Sequence, residues 1–333
     1  MDSHQTIDVD WGVHIKKMPS FVETFDRMKD TPLQNYQIYT SNGRANKFSP
    51  LNIPDALEAE KILRSNHKKM YVHGCLLHNL AGSVTHRADP KFQFKLECTC
   101  SKLISELDAA ACMGGSVVAH TGSCSQREKG IDTIAKTIQH VLTYSTTESK
   151  KISKSLGTDV TAKRMVLLEN SAGEGNKLGR NLQDFTDIFA KIPEDLKPQV
   201  GVCIDTAHIF GAGEYDFGVP ESVTRFYDDF DSAVGLNYLK LFHFNDSKVP
   251  YGSHADRHQN LGLGYIFGSR KDNHGTDGLD TFLREARDRG IPLISEPPKD
   301  GSGGIWDYEI IKEVCKMRKG EVEDTTVAEF ECK

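Results

Sequence analysis

Eight short apolar runs recur along the chain, at 8–15, 36–41, 70–74, 115–121, 164–170, 200–206, 238–245 and 291–296. They are often β-branched, and most are continuous rather than alternating, the pattern of strands covered on both faces. Between them lie segments with helical spacing: 21–30, 54–66, 102–113, 134–145, 182–192, 223–234 and 278–290. Repeated strand–helix units predict an α/β chain, and eight of them favour a single closed (β/α)8 TIM barrel over an open sheet. No Pro/Gly/Ser linker divides the chain, so 1–318 is read as one barrel domain and 319–333 as a charged tail. Two stretches fall outside the alternation and are read as loops or insertions, 146–163 and 246–275. The KKISK cluster of the first is read as a solvated face rather than a nucleic-acid site.

Polar residues interrupt this pattern in one recurring place. Six of the runs finish with a histidine or an acid: His73, His120, Glu169, Asp205, His243 and Glu296. A barrel gathers the carboxyl ends of its strands on one face, so these six should share a pocket. His208, Asp256 and His258 lie in segments that start from the same face. Four carboxylates and five imidazoles without a thiolate suit zinc or manganese in hydrolytic sites. Nine donors are too many for one tetrahedral ion; two or three ions are the natural count, with a carboxylate bridging a pair. Asp205 and His208 are three apart in DTAH and need not share an ion, whereas the two donors of DRH (256–258) fall on one side of an extended loop. Taken singly, a strand-terminal acid is often a helix N-cap and a lone buried histidine a hydrogen-bonded core group.

Composition narrows the classes. The formal net charge of −6 argues against holding nucleic acid by bulk charge, an argument that three divalent ions would cancel. No signal peptide and no bilayer-length apolar run is seen, which predicts a soluble intracellular protein of cytoplasm or nucleus with no membrane partner. The eight cysteines read as reduced thiols, and the Cys98–Cys100 pair lacks the spacing and second pair of a zinc site. The Gly-rich stretch 172–179 lacks the ending of a phosphate loop, so no nucleotide cofactor is expected; it is read as letting backbone approach a substrate. His86, His140 and His254 are read as surface or supporting groups.

The segments HGCLLHNLAG (73–82), VVAHTGS (117–123), LLENSAGEGNKLG (167–179), GVCIDTAHIFGAG (201–213), FHFNDSK (242–248), DRHQNLGLG (256–264) and LISE (293–296) resemble, in order, those of the endonuclease IV family of apurinic/apyrimidinic (AP) endonucleases. The resemblance implies a three-zinc barrel, manganese being able to take one position, that acts as a monomer on double-stranded DNA containing abasic sites. It implies one ion on His73 and His120, with Glu169 bridging to a second held by Asp205, His243 and Glu296, and a third on His208, Asp256 and His258. Glu169 and Glu296 would be the catalytic carboxylates. Water activated between the first two ions would attack the phosphorus 5′ to the lesion, with trimming of blocked 3′ ends as a related activity in base-excision repair.

The chain departs from the family at several points. Where the family carries a tyrosine and an apolar residue that enter the duplex, this chain has Leu76 and Leu77, and apolar side chains can wedge between bases. His78 replaces an aliphatic residue and Ala207 a cysteine. The first strand, GVHIKKMPS, is less glycine-rich. Arg44 follows the second strand where the family has an arginine that reaches into DNA. The alternative is a sugar isomerase of the xylose-isomerase-like barrels, which would have little use for a third site.

Overall fold

The computed structural model describes residues 9–45, 50–82, 90–268 and 274–298; the tail from 319, His86, Cys315 and Cys332 lie outside them. Its strands are β1 (Trp11–His14), β2 (Asn35–Ile38), β3 (Lys69–His73), β4 (Ser116–His120), β5 (Val166–Glu169), β6 (Val200–Asp205), β7 (Leu239–His243), β8 (Asp246–Ser247), β9 (His258–Gln259) and β10 (Leu293–Ser295). Strands β1 to β7 and β10 close a barrel in sequence order, every neighbour parallel, with β10 hydrogen-bonded to both β7 and β1. The helices are α1 (Phe21–Met28), α2 (Ile53–Ser65), α3 (Pro90–Cys112), α4 (Arg127–Thr143), α5 (Thr147–Leu156), α6 (Leu182–Phe189), α7 (Thr206–Gly211), α8 (Pro220–Ala233) and α9 (His274–Asp288). Every predicted strand and helix is present, shifted at its ends by a few residues, α3 and α4 extending furthest.

The barrel explains why the runs are continuously apolar. In β5, Val166 and Leu168 face the helices while Leu167 faces the barrel axis, so both faces are buried. The axis is filled by Tyr71, Val118, Leu167, Cys203, Leu241 and Ile294, one from each of six strands. Side chains two apart on a strand share a face, so two residues beyond each plug another side chain points to the axis. Those six are His73, His120, Glu169, Asp205, His243 and Glu296. The apolar plug is therefore the floor of a polar pocket at the carboxyl ends.

Of the two readings of segment 146–163, a loop or an insertion, the structure shows an inserted helix. It forms α5 and a 3-10 turn, Val160–Lys163; Thr146 and Ser149 build a capping box, and Gly157 takes a left-handed C-cap at φ 68°. Only Ser149 and Ile152 of α5 are buried, too few for a clear apolar stripe. Lys150, Lys151 and Lys154 are exposed, and the segment joins the end of α4 to the start of β5, on the face opposite the pocket. Arg164, buried beside it, donates to Asp108 from Nε at 2.8 Å, to Ser149 Oγ at 2.9 Å and to the carbonyls of Val141 and Tyr144, both at 2.8 Å. The other presumed loop, 246–275, contains the β8–β9 hairpin.

Candidate metal centre

All nine sequence-selected donors converge on the pocket. Three groups have donor atoms within 4.8 Å of one another: His73, His120 and Glu169; Glu169, Asp205, His243 and Glu296; and Asp205, His208 and His258. Asp256 adjoins the third, its Oδ2 3.2 Å from His208 Nε2 and its Oδ1 3.3 Å from His258 Nε2. Glu169 spans the first two, with Oε2 3.2 Å from His120 Nδ1 and Oε1 2.9 Å from His243 Nδ1.

Asp205 and His208 share a group, because α7 begins at Thr206 and a helical turn stacks residues three apart on one side. Asp205 also serves as the N-cap, and the two roles use different oxygens. Oδ1 accepts from the N–H groups of Ala207 at 2.7 Å and His208 at 2.9 Å. Oδ2 accepts from Asn245 Nδ2 at 2.7 Å and lies 3.4 Å from His258 Nε2.

Four of the five imidazoles are oriented the same way: one ring nitrogen meets a carbonyl-type oxygen and the other faces the pocket. The oxygens are Gly74 O for His73 (2.8 Å), Asn170 O for His208 (3.0 Å), Glu296 O for His258 (3.2 Å) and Gln37 Oε1 for His243 (2.9 Å). Each can only accept, so one N–H stays there and the nitrogen left to meet a carboxylate or a cation is the one that faces inward. Gln37 Nε2 also donates to Glu296 Oε1 at 2.6 Å and lies 3.0 Å from His14 Nδ1. Asn170 is paired with the Asp205 backbone in both directions.

His14, Gln37, Asn170 and Asn245 were not picked out from the sequence. For the first two a signal existed: they are inward polar residues of the short apolar runs that form β1 and β2. Among other residues read from the sequence, His140 and His254 are exposed and Cys98 and Cys100 lie on α3. At Gly179 a Cβ would come within 2.9 Å of Thr121 Oγ1, so this glycine makes room for the loop that follows β4.

Burial shapes the electrostatics. It prevails at His120, pushed down to about 4 despite Glu169. At His208 it is outweighed by Asp205 and Asp256, and at His243 by Cys203, Glu296 and Glu169, so both imidazoles hold protons well above their usual range. Glu169, Asp256 and Glu296 sit well below the usual carboxylate range in spite of burial, held there chiefly by His120 and His243, by His208, and by His243 in turn. Clustered carboxylates demand positive charge, which protons on imidazoles meet in part and divalent cations meet better. The donors fit such ions on a second count. Glu169 Oε2, His208 Nε2 and His258 Nε2 are buried with no hydrogen-bond partner, a costly state that a bound cation relieves.

The mouth carries the proposed DNA-facing residues. Arg44 is exposed, as are Leu76 (41%) and Leu77 (51%), and Leu76 N–H donates to Gly43 O at 2.8 Å, joining the two segments. Beyond the third group opens a cavity of about 680 Å³ lined in part by Lys248, Tyr251, Gln259, Leu263 and Tyr265.

A closed parallel barrel with three carboxylate–imidazole groups at its mouth has the frame of the metal-dependent TIM-barrel proteins. A profile of the xylose isomerase-like TIM barrel family matches residues 25–310. The chain is 30% identical over 294 residues to the probable endonuclease 4 of Chloroflexus aggregans, covering 87% of this chain and 91% of that protein. It is 31% identical over 246 residues to the apurinic-apyrimidinic endonuclease 1 of Schizosaccharomyces pombe, covering 73% of this chain but 61% of that one, and it spans 51% of another probable endonuclease 4 that it matches. The crystal structure of endonuclease IV from Thermus thermophilus superimposes with a TM-score of 0.69 at 23% identity, covering 92% and 99% of the two chains. The chain belongs to the endonuclease IV family of the xylose isomerase-like TIM barrels.

Proposed function

We propose that this protein is a zinc-dependent AP endonuclease that hydrolyses the phosphodiester 5′ to abasic sites in double-stranded DNA. The products are a 3′-hydroxyl and a 5′-deoxyribose phosphate, and blocked 3′ ends are trimmed by the same site in base-excision repair. The observation that carries the reading is the set of three donor groups joined through Glu169, with buried, partnerless atoms in it. Family membership supplies the substrate class, through relatives called endonuclease 4 and apurinic-apyrimidinic endonuclease.

His73, His120 and Glu169 would hold one ion, Glu169, Asp205, His243 and Glu296 a second, and His208, Asp256 and His258 a third, with Asp205 adjoining it; manganese could replace zinc at one position. When bound, such ions supply water acidified toward a pKa of about 7 and positive charge for the phosphoryl oxygens. The protein's own part is placement. Glu169 sets the spacing of the first two groups, Glu296 closes the second against Gln37, and these two carboxylates carry the catalytic role. A monomer is proposed, since the nine donors need no second copy of the chain to complete them. Among the described residues no helix is long and apolar enough to cross a membrane.

A synthetic duplex with one abasic analogue tests the reading. The expected result is a single nick 5′ to the analogue, lost after prolonged chelation and restored by zinc; full incision by protein stripped of metal would sink it. An isomerase would instead carry one or two magnesium or manganese ions and convert aldose to ketose, and the third donor group argues against it.

Leu76 and Leu77 are proposed to wedge beside the lesion, with Arg44 reaching into the duplex. Replacing both leucines with alanine should raise Kd for the abasic duplex about tenfold, with little change in rate at saturation. Unchanged affinity would show that they do not enter the helix.

A further inference from the structure

Beneath the two exposed leucines lies a buried charged cluster that the metal centre does not use. Leu76 and Leu77 form the tip of a turn closed by His78 N–H donating to Cys75 O at 2.9 Å. Both ends of that turn meet one carboxylate on α3. Cys75 N–H donates to Glu106, 3.2 Å from Oε1 and 3.4 Å from Oε2, and the His78 imidazole donates from Nε2 to Oε2 at 2.7 Å.

Lys102, one helical turn earlier, has Nζ 3.8 Å from Glu106 Oε1 and donates to Ser41 Oγ, at the start of the 41–45 segment that bears Arg44. That segment is joined to the turn again, since the Cys75 thiol and Leu76 N–H both point at Gly43 O, at 3.3 Å and 2.8 Å. Glu106, Lys102 and His78 are 3%, 4% and 6% exposed. Burying an acid, an ammonium and an imidazole is unfavourable compared with apolar residues of the same volume, so packing alone does not account for them. What the charged set adds is fixed geometry for the exposed Leu76–Leu77 tip and for the 41–45 segment, whose own residues are exposed or only half-buried.

We propose that Glu106, supported by Lys102 and His78, is a positioning residue that presets the Leu76–Leu77 turn and the Arg44 segment as one rigid unit before DNA arrives. The inference rests on the reading of these residues as DNA contacts. A preset wedge does not have to be ordered at the moment of binding, so its gain appears in affinity rather than in the chemical step. Glu106 touches neither the donor groups nor a reacting atom.

The test compares wild type, L76A/L77A, E106L and E106Q on a duplex with one abasic analogue, reading Kd, the single-turnover rate at saturating enzyme, and amide hydrogen exchange. For E106L we expect Kd to rise about tenfold, the saturated rate to stay near wild type, and exchange to quicken across 41–45 and 74–79 but not in the barrel strands. E106Q keeps an oxygen for Cys75 N–H and should recover most of the affinity. If L76A/L77A leaves Kd unchanged, the wedge reading fails and this inference falls with it. If L76A/L77A weakens binding while E106L binds like wild type, or if E106L lowers the saturated rate instead, the wedge stands and the positioning role is overturned. Should E106L not fold, K102M carries the same comparison through the 41–45 segment.

Discussion

Replacing Glu169 with glutamine is expected to lower incision of an abasic duplex about a thousandfold or more while the barrel still folds. The residue is 1% exposed, and its two oxygens serve different donor groups. Oε2 lies 3.2 Å from His120 Nδ1 and 3.8 Å from His73 Nε2; Oε1 lies 2.9 Å from His243 Nδ1 and 3.6 Å from His208 Nδ1. Glutamine matches the volume but turns one of these oxygens into an amide nitrogen with no lone pair to offer, and it removes the charge that the surrounding imidazoles hold in place. Whichever way the amide lies, one group loses its shared donor. The strand keeps its ladder, and Leu167 still fills the axis beneath, so melting and circular dichroism should stay near wild type. Metal per chain, measured by mass spectrometry after gel filtration, should fall together with activity. Cleavage within about tenfold of wild type would remove Glu169 from the bridging position.

The barrel and most of its mouth were legible because two simple periodicities act together. A strand covered on both faces reads as an unbroken apolar run, and the first polar residue to end it is the one that reaches the mouth; six of the nine donors were found this way. His14 and Gln37 escaped because polarity inside a short apolar run looks like noise. Only the barrel shows that Gln37 points inward and holds both His243 and Glu296. Helix α7 escaped for a different reason. All six of its residues are buried, so it has no polar face, and DTAH read as a strand running into a loop. That cost the grouping of Asp205 with His208. The sequence left Asp205 as either cap or ligand; with one oxygen on the α7 amides and the other in the pocket, it can be both. Helix α5 was the reverse case, too polar to show a stripe and held instead by its capping box and by Arg164.

Replacing Asp246 with alanine is expected to destabilise the protein by about 4 kcal/mol or more, at a rate of about 1–3 kcal/mol for each buried donor left without a partner. Asp246 is 0% exposed and sits just past β7. Its Oδ1 accepts from the N–H groups of Ser247 at 2.8 Å, Ile266 at 2.9 Å and Phe267 at 3.4 Å, and its Oδ2 from those of Gly262 and Gly264, both at 3.0 Å. One side chain thus satisfies the backbone of the turn that follows His258 and Gln259. Glycine at 264 lets the backbone come this close to the carboxylate, since a Cβ there would lie 2.4 Å from Asp246 Oδ1. Asparagine should cost less than alanine: its oxygen can keep the contacts of Oδ1, while its amide N–H groups would oppose those of Gly262 and Gly264. The effect should reach the pocket as well, because β9 is paired to β8 through Ser247 and His258. A loosened hairpin moves His258 away from Asp205 and His208, so the D246A protein that remains folded at low temperature should bind less metal and incise poorly. Chemical denaturation checks the first effect and metal content the second. A denaturation midpoint unchanged from wild type would mean that water replaces the carboxylate and that the turn is held by other contacts.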